Sequence, residues 1–399
     1  MKFNIEDDYD YYIPKSPVSD MNVLLDASKA SFKGSSWKKE PQKFVWNVLH
    51  NINLLRKEIS TRKYKSTKGV EFTLNERGRM RHIQGNTMRD RVVRHALCDS
   101  VLMPTLEKYL IHNNGASRKG KGIDFAREEF KKDLHNYYLE HKSNEGYIGF
   151  VDLSKFYDNI QHDVVRAMIL PKLEAECQWL FSHILDTFEV DMSHLSNDEF
   201  AKCMDEIFIS LDYYEETKDV KKKGKKMMKK SVNIGDQVSQ VIGIFFPTWI
   251  DNYVKIVLGK KRYGRYMDDM YIIGETKEEV QSVIRGIEVR AKEIGLFVNP
   301  KKTQIHKLSD RFTFLQMRYF MTDTGKVVIR INPSRITKER QKLKAYKRLL
   351  DKGKMSFDQI KQCYKSWMGS YASVMSKQQI KNMKKLFYDL FGEDVRWKK

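Results

Sequence analysis

Cysteine is scarce in this chain and does not cluster. The four cysteines among 399 residues, Cys98, Cys177, Cys203 and Cys363, include no Cys-x-x-Cys pair. That excludes a structural zinc module and a disulfide framework, and it suits the reducing cytoplasm. Long apolar runs are also missing. No stretch approaches the ~18 residues of a membrane span, and the acidic start Glu6-Asp7-Asp8 is unlike a signal peptide. No membrane association is expected. No internal repeat of supersecondary period is present, which excludes a solenoid or propeller. The Gly-rich stretch Asn113 to Gly122 lacks the Gly-Lys-Ser/Thr ending of a P-loop.

What the chain has in abundance is positive charge. A net charge of +21 implies a polyanionic partner, either nucleic acid or an acidic membrane surface. An aromatic content of 12% favours nucleic acid, because bases stack on rings. The excess is uneven: residues 331–399 carry 18 Lys/Arg against 6 Asp/Glu. A second block, Lys221 to Lys230, is the kind of lysine run that is solvated and adds sequence-blind affinity for phosphates. With 41% apolar residues the chain can bury a sizeable core in two or three subdomains.

Two acidic stretches carry the chemistry. Arg265-Tyr266-Met267-Asp268-Asp269-Met270-Tyr271-Ile272-Ile273 sets adjacent carboxylates between runs of strand character. Successive strand residues face opposite sides, so both acids reach one target only at a turn; a β-hairpin with Asp268 and Asp269 at its tip follows. Like charges so close repel unless a divalent cation or a basic partner offsets them. A hard cation such as Mg²⁺, completed by a phosphate, suits the pair. Alone, the tetrapeptide is also what a solvated Asp-Asp turn looks like. A second apolar strand, Phe150 to Tyr157, shifts the balance by carrying Asp152 where apolar residues give way to polar ones. Two phosphate-bridging metals need about three carboxylates from separate strands.

Tyr266-Met267-Asp268-Asp269, with Asp152 and Phe156-Tyr157-Asp158-Asn159-Ile160, resembles the catalytic hairpin and first catalytic strand of reverse transcriptases, which are right-hand-shaped polymerases. Further matches follow in the family's order from about residue 70 to 320. The resemblance implies an α+β fold with N-terminal helices and fingers over 1–149, a palm of small antiparallel sheet backed by helices over 150–320, and a basic helical thumb over 321–399. It implies RNA-directed DNA synthesis from deoxynucleotide triphosphates. Asp152, Asp268 and Asp269 would be catalytic and, with Leu153, would surround two Mg²⁺ ions, for which Mn²⁺ substitutes. The basic hairpin from Glu71 to Leu74 and Arg77 to Ile83 corresponds to the fingers, so Arg81 first and Arg79 second would grip the triphosphate. Tyr157 would lie beneath the sugar and block a 2′-hydroxyl. Lys302, in Leu296 to Thr303, would contact the triphosphate or protonate pyrophosphate. Tyr266 and Met267, with Phe314 and Leu315 of the hairpin Phe312 to Met317, would hold primer or template, although Gln316 stands where a glycine is common.

The turn Asn233-Ile234-Gly235-Asp236-Gln237-Val238-Ser239-Gln240 precedes an apolar helix, Val241 to Val257, and its glycine lets backbone approach a ligand. It corresponds to the family motif that contacts the nucleotide through Ile234, Gly235 and Gln237, with Ile234 in place of glutamine and Gln240 in place of proline. This variant resembles reverse transcriptases of diversity-generating retroelements. An aliphatic residue there removes a hydrogen bond worth roughly 0.5–1.5 kcal/mol, a several-fold loss of discrimination, so synthesis is expected to be error-prone.

The partners implied are an RNA template, an RNA:DNA duplex, a dedicated noncoding RNA and, by family analogy, a small basic accessory protein. A phage-defence or retron-like enzyme with its own RNA and a non-catalytic RNA-binding protein remain as alternatives; Tyr157 disfavours an RNA-templated RNA polymerase. No endonuclease or zinc module is expected after the thumb. Elsewhere, one amphipathic helix is expected over Pro41–Ser60, an arginine face (Arg89, Arg91, Arg94) on the next helix, a capped helix from Thr276 to Gly295 and two or three helices after Ile336. Asn113–Gly122 reads equally as a connector or a template contact, and residues 171–230 are the least family-like part.

Overall fold

In a computed structural model that describes residues 16–67, 69–76, 78–217 (backbone alone at 214–217) and 226–396, the apolar periodicity of the N-terminal region forms helices. Asp20 caps α1 (Met21–Phe32) by accepting from the Asn22 and Val23 N–H groups. The single helix expected over Pro41–Ser60 is two, α2 (Lys39–Trp46) and α3 (Val48–Ser60). Asn47, at φ −115° and ψ 41°, leaves the helical path, and Asn51 Nδ2 donates to the Phe44 carbonyl across the joint at 2.8 Å. The break lets Phe44 on one helix and Ile52, Leu55 and Ile59 on the other all be buried.

Strands β1 (Val70–Glu76) and β2 (Arg79–Gly85) form the expected antiparallel hairpin, with Glu76 opposite Arg79. Arg77 lies outside the described residues. On α4 (Met88–Leu97) the expected arginine face is corrected. Arg94 is only 3% exposed and sits with Nε 2.6 Å from Asp236, a carboxylate buried enough to require a partner charge.

β3 (Tyr147–Asp152) is followed by the least family-like segment. There β4 (Val190–Asp191) and β5 (Met227–Met228) pair antiparallel around Met192, Cys203, Phe208 and Met228. Lys221 to Lys225 of the basic block lie outside the described residues. Lys230, expected to be solvated, is buried instead: its Nζ donates to the Cys203, Met204 and Glu206 carbonyls at 3.3, 3.1 and 2.9 Å, at the end of the helix Asn197–Asp205. An ammonium at a helix C-terminus satisfies carbonyls that have no intrahelical donor.

β6 (Tyr263–Tyr266), β7 (Asp269–Gly274) and β8 (Gln304–Lys307) complete a four-stranded sheet of order β6-β7-β3-β8. β9 (Phe312–Phe314), β10 (Met317–Met321) and β11 (Val327–Ile331) form an antiparallel sheet of order β11-β10-β9. The chain divides into two compact units. One holds Met1–Ala126, Phe150–Ile272 and Gln281–Gln304; the other holds Arg127–Gly149, Ile273–Val280 and Ile305–Lys399. In the second unit Phe130 packs on Phe314 and Tyr319, at ring distances of 4.7 and 4.9 Å. It also contains the helices Pro333–Asp351, Phe357–Tyr371 and Lys377–Phe391, where Tyr364 stacks on Phe387 at 4.3 Å. The capped helix expected from Thr276 to Gly295 is Lys277–Glu293, with Thr276 Oγ1 accepting from the Glu279 N–H at 3.1 Å. Among the described residues no helix is long and apolar enough to cross a membrane.

His162 fastens the end of the segment that carries β4 and β5. Its N–H donates to the Lys229 carbonyl at 3.0 Å and its ring Nε2 to the Ser231 carbonyl at 2.6 Å. Burial pushes the imidazole down from 6.5 to about 4. The unfolded chain therefore takes up this proton as pH falls through 6.5, while the folded chain stays neutral until about 4. The histidine's contribution to stability is full above that window and shrinks as pH drops into it. Urea denaturation should show the wild type losing about 2 kcal/mol more than His162→Gln between pH 7 and pH 5; parallel losses would contradict the assignment.

Candidate active site

β6 and β7 pair so that Tyr266 faces Asp269, leaving Met267 and Asp268 as a two-residue turn. The tip is thus Met267-Asp268, and Asp269 opens β7. Met267 has φ 55°, a left-handed conformation that a side chain disfavours and that its surroundings must enforce. Arg265 supplies much of that enforcement. It is fully buried, binds Asp251 through Nε at 2.9 and 3.1 Å and through Nη2 at 2.7 Å, and donates from Nη1 to the Met267 carbonyl at 3.1 Å. Tyr263 Oη donates to the same carboxylate at 2.7 Å. The Arg265 N–H donates to the Asn113 carbonyl at 3.0 Å, and Asn114 is buried with Nδ2 on the Ile244 carbonyl at 3.0 Å. The start of the Gly-rich loop therefore buttresses the hairpin. Asp251 was missed from sequence, although a lone acid inside the apolar run Val241–Val257 was the signal. That run is not the one helix expected but the end of the helix Gln237–Phe245, a break at Pro247, the helix Thr248–Asn252 and a π-helical turn Tyr253–Val257.

Asp152 ends β3 and is buried beneath Lys302, whose Nζ lies 2.8 and 2.6 Å from its two oxygens. Asn299, another residue not anticipated, donates from Nδ2 to Asp152 Oδ1 at 3.1 Å and from its N–H to the Asp152 carbonyl at 2.8 Å. Leu153 has a buried side chain, so only its backbone could meet an ion.

Asp152, Asp268, Tyr157, Ile234, Lys302, Arg79 and Arg81 line a single cavity of about 1680 Å³. Burial, then the charge of Asp152, raises the Asp268 carboxyl above the ordinary range, opposed by Lys302 and Arg81. Burial and the two neighbouring carboxylates push Asp269 up to about 7, although Asp269 does not line the cavity. Tyr157 stays protonated, its phenol pushed up to about 12 by burial and by Asp268. Its Oη lies 3.9 Å from Met267 Sδ, and Gly243 makes room for the ring: a Cβ there would come within 3.0 Å of the hydroxyl. Arg81 Nε lies 3.1 Å from Glu76, whereas Arg79 is exposed.

Other anticipated residues stand apart. Gly235 is exposed at φ 96°, and Gln237 donates to Asp99 at 3.0 Å; neither lines the cavity, nor do Tyr266 and Met267. Asp236 between them caps the helix Gln237–Phe245 and accepts from Asn86 Nδ2 at 2.7 Å. Phe314 and Leu315 belong to the second unit. Phe314 is in its aromatic core, and the Leu315 carbonyl accepts from Arg127 Nη2 at 2.8 Å.

Among the described residues no three His, Cys, Asp or Glu side chains close on one point as a metal cage. The donor set nevertheless suits Mg²⁺, which is commonly held by one or two carboxylates and completed by substrate phosphates and water. A divalent cation would offset the burial and the neighbouring carboxylate charges that together raise Asp268 and Asp269.

A family model described as reverse transcriptase (RNA-dependent DNA polymerase) matches residues 68–319. The α+β arrangement with small antiparallel sheets is accordingly a right-hand polymerase fold. The chain belongs to the reverse transcriptase family. No curated protein matches it. Among solved structures, telomerase from Candida albicans in complex with a TWJ fragment of telomeric RNA is similar over 88% of this chain at 12% identity, with a TM-score of 0.44. The match spans 64% of that telomerase chain.

The Arg265–Asp251 pair yields a stability test. Arg265→Met strands a buried carboxylate and should cost about 3–5 kcal/mol in chemical denaturation. Adding Asp251→Leu should recover most of that loss. A double variant no better than the single one would show that the pair is not what holds this region.

Proposed function

We propose that the chain is an RNA-directed DNA polymerase whose reaction occurs in the cavity lined by Asp152 and Asp268. What carries this reading is that the acids, the cations Lys302, Arg79 and Arg81, and the aromatic ring of Tyr157 share one cavity inside the family-matched segment. Fingers at 1–149, palm at 150–320 and thumb at 321–399 are the division of labour we assign. When bound, two divalent ions, Mg²⁺ or Mn²⁺, would activate the primer 3′-hydroxyl and neutralise the triphosphate. Asp152 and Asp268 would hold them, with the Leu153 carbonyl beside them and Asp269 helping placement.

The remaining steps belong to the protein. Arg81 and Arg79 clamp the triphosphate, and Arg81 leaves Glu76 to do so. Tyr157, kept neutral, floors the sugar site and excludes a 2′-hydroxyl. Lys302 gives up its hold on Asp152 and delivers a proton to the departing pyrophosphate. Ile234, half-buried at the cavity wall, offers no hydrogen bond to the nucleotide or its pair, which supports error-prone copying of the kind found in diversity-generating retroelements. Gly235 and Gln237 set the turn behind it. Tyr266, Met267, Phe314 and Leu315 are assigned to primer and template. A dedicated noncoding RNA and a small basic accessory protein belong to this same reading. A retron-like or defence enzyme would share the chemistry and differ in its RNA.

Primer extension on an RNA template with deoxynucleotides and Mg²⁺ tests the activity. Asp268→Asn with Asp269→Asn should abolish DNA synthesis, by at least a thousandfold, while circular dichroism and RNA affinity stay at wild-type levels; sustained synthesis by the double variant would refute the site. Tyr157→Ala should admit ribonucleotides at a rate raised tenfold or more relative to deoxynucleotides, and an unchanged preference would remove Tyr157 from the sugar site.

A further inference from the structure

The segment before the family-matched region carries two large aromatic side chains that the fold does not use. Trp37 is 74% exposed and Trp46 is 87% exposed. Both belong to the first unit, and among the described residues no neighbouring element covers them. Tryptophan is costly to leave in water, and such exposure needs an explanation beyond packing.

The surroundings of the two rings indicate what would cover them. Between Lys33 and Trp46 stand four lysines, Lys33, Lys38, Lys39 and Lys43, against one acid, Glu40. All four lysines are exposed. Glu40 is engaged inward, its Oε1 accepting from the Met88 N–H at 2.7 Å. On α2, Lys39, Lys43 and Trp46 follow one another at intervals of four and three residues and so share a helix face. The buried Pro41 and Phe44 mark the inward face of that helix. Trp37 stands just ahead of α2 with the Lys38 ammonium 5.3 Å over its ring. Leu49, at the start of α3, is also 62% exposed. A partner protein would be expected to meet an apolar patch with few charges at its centre. Here flat rings alternate with exposed ammonium groups that meet no carboxylate among the described residues, which is the surface that accepts unstacked bases and the phosphates between them.

We infer that Trp37 and Trp46, with Lys38, Lys39 and Lys43, form a second nucleic-acid surface that binds single-stranded RNA outside the polymerase cavity. From Lys39 to Trp46 the helical rise covers about 10 Å, so Trp46 lies roughly two nucleotides along from the start of α2, just ahead of which Trp37 stands. The lysines supply sequence-blind attraction and the rings supply stacking. The surface would tether an RNA whose other end occupies the cavity, raising the effective concentration of template there.

The test uses the full chain carrying Asp268→Asn and Asp269→Asn, so that its outcome does not depend on catalysis at the cavity. Binding of a fluorescein-labelled single-stranded RNA of about 20 nucleotides is measured by anisotropy as salt is varied, alongside the quenching of intrinsic tryptophan fluorescence. Trp37→Ala with Trp46→Ala should weaken RNA binding by tenfold or more, and Trp37→Phe with Trp46→Phe should restore most of it. Lys39→Glu with Lys43→Glu should lower the slope of log affinity against log salt by about one to two units. In the otherwise wild-type chain, the alanine pair should leave extension of a short blocked-end RNA–DNA duplex unchanged. The inference fails if the alanine pair binds RNA as tightly as the parent. It also fails if leucine restores binding as well as phenylalanine does, which would mark an apolar protein contact, or if affinity falls only together with the melting temperature.

Discussion

Crowded negative charge is the constraint around which this protein is arranged. Asp152, Asp268 and Asp269 lie near enough to feel one another's charge in partly dehydrated surroundings, and the raised carboxyl groups of the hairpin pair reflect burial first and mutual repulsion second. A chain whose only interest were stability would separate these acids or replace them. Here the opposing charges come from elements distant in sequence: Lys302 against Asp152, and the fields of Lys302 and Arg81 against Asp268. Both cations line the cavity that Asp152 and Asp268 share, and under the proposed reading an incoming polyphosphate would compete for them there.

The hairpin that presents the acids is itself held from behind. Arg265 is a buried guanidinium with its full fork engaged, two arms on Asp251 and one on the carbonyl of the left-handed Met267. Removing either partner leaves a charge in a dry interior, so the pair gives the turn one geometry at the expense of tolerance to mutation. Asn114 and Gly243 act in the same direction by different means. One satisfies a carbonyl beneath the hairpin; the other clears the space in which the Tyr157 ring sits.

Much of this was legible in the sequence because its signals are local. Alternating apolar runs around Asp268 located β6 and β7, the acid at the end of an apolar strand located Asp152, and the basic hairpin followed from Glu71 to Ile83. What the sequence hid is long-range pairing. Arg94 reads as part of an exposed arginine face until Asp236, far along the chain, is seen to require it. Lys230 reads as the end of a solvated lysine block until the helix Asn197–Asp205 is seen to end against it. Asn47 breaks a helix whose apolar spacing runs on without interruption, because two short helices bury Phe44 and Ile52 better than one straight one. Hydrophobic periodicity reports which residues go inside; it does not report which buried charge will meet which.

The account depends most on the carboxylates forming a cation site that the nucleotide completes. Mn²⁺ titration followed by electron paramagnetic resonance, with and without a non-hydrolysable deoxynucleotide, addresses this directly. The wild type should bind Mn²⁺ weakly alone and at least tenfold more tightly with the nucleotide. Asp152→Asn and Asp268→Asn should each abolish the tight site, and Lys302→Met, which frees Asp152, should strengthen binding without nucleotide. Nucleotide-dependent Mn²⁺ binding that survives both asparagine substitutions would contradict the account.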